Sequence, residues 1–222
     1  MLFYLGKGVN MKGKIVETNN ILRGPARLLY YSSIATGGAC PIATEPTTIS
    51  DILADGTISG AAGTGWTDFG AVEGAVTHQR ELTTDQDVVE NSLSPIRDVL
   101  IGVKDTVIAN LAEVSFENLQ VAWELGGIVT NSGVTPNEKT IPFSVPESLT
   151  PRMIAFVHAK PDGKLRAHVF WNVTPGNAAS GLALAKTPKG TIPVQFNCAV
   201  MTDIVDSNNN PTIGKAIEQV SA

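Results

Sequence analysis

Cysteine is nearly missing from these 222 residues. Cys40 and Cys198 are the only two, too few for a disulfide framework or a thiolate zinc site, and weakly consistent with a reducing compartment. Histidine is as scarce, with His78, His158 and His168, and aromatic residues make up only 6%. No apolar run approaches the roughly 18 residues a membrane helix requires, so no membrane partner is expected. The opening MLFYLGKGVN has no extended apolar region behind its first lysine, which argues against a secretory leader. Long disordered character is excluded as well, because aliphatic residues recur along almost the whole chain.

Glycine and proline are plentiful instead. Twenty-one glycines and 13 prolines, about 15% of the chain, fit many short elements joined by turns better than a helical bundle. The length suits one sizeable core. Net charge is −5, unevenly distributed. Residues 1–27 carry five bases against Glu17, a net of +4. Residues 45–105 carry eleven acids against Arg80, Arg97 and Lys104, a net of −8, and residues 151–189 return to +5. Blocks of opposite sign favour complementary contacts within a chain or between copies, whereas a nucleic-acid binder shows one basic face interleaved with aromatics.

Residues 1–24 have no sustained period and read as an N-terminal arm, within which Met11 is an alternative start. A β-rich domain spans 25–205. It opens with a buried strand at Arg27–Ser32, followed by a long loop at 33–65 suited to partner contact, with one helical turn at Ile49–Leu53. Val72–Val89 is polar on both alternating faces, so burial within its own monomer cannot hold it, and its open edge needs a partner. Ile96–Asn110 resumes buried character, with Val99, Ile101 and Val103 on one face, and completes a long antiparallel hairpin.

One helix is predicted at 115–125. Ser115 is its N-cap, Glu117 sits in its first turn, and Gly126-Gly127 supply a left-handed stop. Phe116, Leu119 and Trp123 form its packing stripe against a sheet, with the two aromatics dominating the burial. Strands at Met153–Lys160 and Lys164–Val173 flank the turn Pro161-Asp162-Gly163, and Ile192–Val200 alternates as a half-buried strand. Residues 206–222 read as a polar loop and a C-terminal arm. The fold class is therefore mostly β: an antiparallel sandwich or small barrel with one flanking helix, an extended hairpin, a long loop and two arms.

Chemistry finds little purchase. A two-residue turn at Asp162-Gly163 would send His158 and His168 to opposite sides of the sheet, where they cannot share a metal or form a catalytic pair. Asp85 and Asp87 lie on one strand face without the glycine turn and terminal glutamate of a calcium loop. Gly60–Gly65 lacks the Lys-Ser/Thr of a phosphate loop, and no G-x-S-x-G is present. No enzyme activity, metal or cofactor is expected.

One stretch carries a resemblance. The turn Gly65-Trp66-Thr67-Asp68-Phe69-Gly70 leads into a polar strand and Thr84-Asp85-Gln86. A second strand follows, then Leu111-Ala112-Glu113-Val114-Ser115-Phe116-Glu117-Asn118-Leu119. This order resembles the major tail tube proteins of long-tailed, siphovirus-type bacteriophages over residues 25–125, and the remainder only by class. The long N-terminal arm and the 33–65 insertion depart from the pattern.

The resemblance implies hexameric rings stacked into a hollow tube in the virion tail, made in the host bacterial cytoplasm. Its lumen would hold a tape-measure protein and pass DNA without gripping it. A tail terminator, neck or capsid decoration protein is the alternative in the same class, and a carbohydrate-binding adhesive domain a more distant one. Independently, a channel that clears duplex DNA needs on the order of twenty or more strands; about 24 strands give a diameter of about 50 Å, and six copies giving four strands each could supply them. Glu73, Glu81, Asp85, Asp87 and Glu90 are the candidate lumen-facing acids, and an acidic wall repels phosphate. Lys12, Lys14 and Arg23 are the candidate inter-subunit contacts of the arm.

Overall fold

The computed structural model describes residues 26–31, 45–87, 97–133, 136–176 and 190–220. The N-terminal arm with Lys12, Lys14 and Arg23 lies outside them, as do Cys40 and Glu90. The described chain is mostly β, antiparallel throughout its main sheet, with one α-helix.

In chain order, β1 (Ala26–Tyr31) is followed by a 3-10 turn (Ile49–Asp51), β2 (Trp66–Asp68), β3 (Thr77–Asp87) and β4 (Arg97–Leu111). Then come α1 (Phe116–Trp123), β5 (Val129–Asn131), β6 (Glu138–Thr140), β7 (Arg152–Ala159) and β8 (Leu165–Pro175). The chain closes with β9 (Ile192–Ala199), β10 (Met201–Val205), β11 (Pro211–Thr212) and β12 (Gly214–Glu218). The main sheet has eight strands in the order β2-β1-β7-β8-β9-β4-β3, with β12 also on β8. Among the described residues it is open, not a closed barrel.

Strand β7 explains the architecture. Six consecutive residues, Met153–His158, are buried, so both of its faces are covered. One face joins Leu28, Tyr30, Ile154, Phe156 and Phe170 to Val107, Leu111, Val194 and Phe196 of the β4–β9 wing and to Leu119 and Val121 of α1. The opposite face joins Leu29, Met153, Ala155, Val157, Val169 and Trp171 to Ile49, Ile52, Leu53 and Trp66. The described part of the long loop, 45–65, covers this face of the sheet. Arg27 fastens it, donating to Ile58 O at 2.9 Å and through Nε to Asp68 Oδ2 at 2.7 Å.

The C-terminal arm expected at 206–222 is corrected. Gly214–Glu218 pairs with β8 from Phe170 to Arg166, while β9 pairs with β8 from Asn172 to Pro175. The two run in the same direction and occupy one position beside β8, end to end. The β10–β11 hairpin is an excursion between them.

Helix α1 begins where expected: the Ser115 side chain accepts from Asn118 N at 3.1 Å. Its stop differs. Glu124, at φ 50 and ψ 45, supplies the left-handed residue in place of Gly126-Gly127. The packing face differs as well. Asn118, Leu119, Val121 and Ala122 are buried, whereas Phe116 and Trp123 are only half-buried. Asn118 locks the helix to the sheet by donating through Nδ2 to Phe69 O and Glu113 O, both at 2.8 Å.

Candidate assembly interface

The β3–β4 hairpin leaves the body of the molecule. Its last contact with β9 is the pair Asp105 and Cys198, and beyond it β4 pairs only with β3 among the described residues. Gln79–Gln86 are all exposed. The result is a two-stranded ribbon whose β3, among the described residues, carries an open edge of backbone N–H and C=O groups.

Register assigns the two faces. Arg80, Leu82 and Thr84 stand opposite Asp105, Val103 and Leu100, and share the face that leads back to the core at Val107. Gln79, Glu81, Thr83 and Asp85 stand opposite Thr106, Lys104, Gly102 and Val99 on the other. A bulge between Thr83 and Thr84 inserts Ile101 as an extra residue in β4. Val99 and Val103 therefore lie on opposite faces, not on one as expected. Their region is not buried: Leu82, Leu100, Ile101 and Val103 are 58%, 55%, 63% and 42% exposed. The ribbon has one apolar face and one polar face.

The polar face receives Glu81 and Asp85, but it also holds Lys104 directly across from Glu81. Glu73 is exposed in the segment before β3, where its N–H donates to Asn110 O at 2.8 Å. Asp87 is the terminal residue of β3. Of the five acids, the structure brings together Glu81 and Asp85.

The ribbon is anchored by a network that sequence reasoning missed. Asp105 is fully buried. Arg80 grips it with Nε at 3.0 Å from Oδ1 and Nη2 at 2.8 Å from Oδ2, and His78 Nε2 lies 2.7 Å from Oδ1. Burial alone would raise the Asp105 pKa, but the hydrogen bonds from Arg80 and His78 and their charge hold it below the usual carboxylate value. Arg80 rises correspondingly through its bond to Asp105. The neighbouring Cys198 thiol is pushed up to about 12 by burial and by Asp105, which leaves it inert as a nucleophile.

The histidines are placed differently from expectation. The turn has three residues, with Lys160 N donating to Lys164 O at 2.7 Å and Gly163 at φ 79. His158 therefore pairs with Arg166, and His158 and His168 share one face with ring centroids 5.5 Å apart. His168 stacks on Phe156 at 4.6 Å, and His78 meets Phe170 at 4.8 Å. Among the described residues no three His, Cys, Asp or Glu side chains are grouped as metal ligands.

Burial pushes His168 down to about 4, helped by the positive potential of His158, His78 and Arg166, and burial likewise lowers His158. Between pH 6.5 and about 4 the unfolded chain binds the His168 proton and the native chain does not. The stability His168 contributes is thus complete above pH 6.5 and is lost as pH falls to 4. Replacing it by phenylalanine should flatten that decline by about 2 kcal/mol, read from urea unfolding at pH 7 and pH 4.5. Equal slopes for the two proteins would refute it.

Comparison with known protein families finds no match, and comparison with curated proteins finds none either.

Proposed function

We propose that this chain is a structural, non-catalytic subunit that completes its sheet in other copies of itself. It forms hexameric rings stacked as the hollow tail tube of a long-tailed bacteriophage. The observation that carries this reading is the ribbon: an eleven-residue edge strand, exposed along most of its length, with an apolar face of Leu82, Leu100 and Val103 that no part of the described chain covers. An edge of that length in a lone monomer invites pairing with another chain: a neighbour's ribbon satisfies its backbone, and the body of a neighbouring subunit covers its apolar face.

In such a ring the apolar face packs outward on the neighbouring subunit. The polar face, with Gln79, Glu81, Thr83, Asp85 and Lys104, turns to the channel. A mixed polar wall with net acid gives DNA and a tape-measure protein a path without a strong hold. Sedimentation velocity tests the reading. Wild-type protein should form large species as concentration rises. Leu82→Glu/Leu100→Glu should stay monomeric with its melting temperature nearly unchanged, because both side chains are exposed in the monomer. Equal assembly of the two proteins would refute the ribbon as the interface.

A further inference from the structure

We infer that the cleft at the C-terminal end of α1 receives the N-terminal segment, residues 1–25, of another copy of this chain. This rests on the self-assembly reading and names a contact separate from the ribbon.

Trp123 and Glu124 line this cleft, with Arg152 beside Glu124, and Trp123 Nε1, Glu124 Oε1 and Arg152 Nε are buried without a hydrogen-bond partner. Glu124 is 8% exposed, and Arg152 Nε stands 3.8 Å from Glu124 Oε1, too far for a hydrogen bond. Native interiors rarely leave such groups orphaned. Glu124 also holds the left-handed backbone of the helix stop, a conformation disfavoured for residues with a side chain. The cleft, of about 430 Å³, is walled by Ala122, Pro146, Leu149 and Pro175.

Beside it lies an apolar apron. Residues 142–149 are all exposed, with Phe143 at 76% and Val145 at 93%. The β5–β6 hairpin that leads to it is exposed along both strands. A patch of this kind, which no described residue covers, marks a protein contact.

Charge selects the occupant. Residues 112–152 hold five glutamates against Lys139 and Arg152, a net of −3. Residues 1–25 hold Lys7, Lys12, Lys14 and Arg23 against Glu17, a net of +3, behind the apolar start Met1–Leu5. A lysine would supply the donor that Glu124 Oε1 lacks, and a peptide carbonyl would accept from Trp123 Nε1. The apolar start would cover Phe143 and Val145. The self-assembly reading makes the donor another copy. Ala26 pairs with His158, six residues and roughly 20 Å along β7 from the Arg152 end where the cleft sits. The arm thus starts at the far end of the sheet from its own cleft, and 25 residues, which can reach roughly 80 Å, are long enough to cross to a neighbouring subunit.

The test uses the full chain, with ordinary and ¹⁵N-labelled protein mixed in equal parts and treated with a carbodiimide, which joins lysine to carboxylate only at contact distance. Mixed-label pairs should link Lys7, Lys12 or Lys14 to Glu138 or Glu147. Phe143→Ser/Val145→Ser should reduce them at least fivefold without changing the monomer's melt. Single-label pairs alone, links only to other acids, or no links would overturn the inference. The two readings fail separately: tubes without these links retain the ribbon and remove this contact, whereas links in small oligomers that never form tubes do the reverse.

Discussion

Arg80→Met is expected to destabilise the fold by about 3 kcal/mol, although the Arg80 side chain is 55% exposed. An exposed arginine is ordinarily worth a few tenths of that. The difference lies in its partner. Asp105 has no solvent access, and the two nitrogens of Arg80 provide most of its compensation, with His78 supplying the remainder. Removing the guanidinium strands a buried charge at the root of the ribbon. Arg80→Met/Asp105→Leu should recover most of the loss, since the buried charge is removed together with Arg80 and the imidazole it leaves behind, His78, is 27% exposed to water. Chemical unfolding of the two single variants and the double gives the coupling directly. Additive losses would mean that the two residues do not act as a pair.

Gly214→Ala is expected to cost about 2–3 kcal/mol, a large effect for the addition of one methyl group. A Cβ at this position would stand 2.1 Å from the carbonyl oxygen of Val169 on the paired strand, where backbone must move to admit it. Displacing β12 also withdraws Ile217 from the core and strains the bond that Trp171 Nε1 donates to Thr212 Oγ1 at 3.1 Å. Thermal melting reads the stability, and Trp171 emission reports the detachment. An unchanged melt would show that Gly214–Glu218 does not lie against β8.

These two positions mark where the sequence is legible and where it is not. The ribbon could be read because alternation in 77–87 offers no buried face, and the helix start because Ser115 and Glu117 sit where a first turn wants them. Strand β12 was hidden. GKAIE is short, with one large apolar residue, and it is recruited by the gap that β9 leaves beside β8, a tertiary cause with no local period. The histidine pair was lost to a single residue of turn length, which reverses every side chain in the register. Asp105 gave no signal because a lone acid in a strand looks like a solvated position until its partners on β3 are placed. The apron at Phe143 and Val145 lacks any period, yet apolar residues spaced between Pro142 and Pro146 could have flagged a segment that is neither core nor turn.

Electron microscopy of the purified protein over a range of concentrations tests the central claim most directly. The account predicts rings and filaments with a central channel for the wild type, and neither for Leu82→Glu/Leu100→Glu. Single compact particles at every concentration, with no ring or filament in any field, would contradict it.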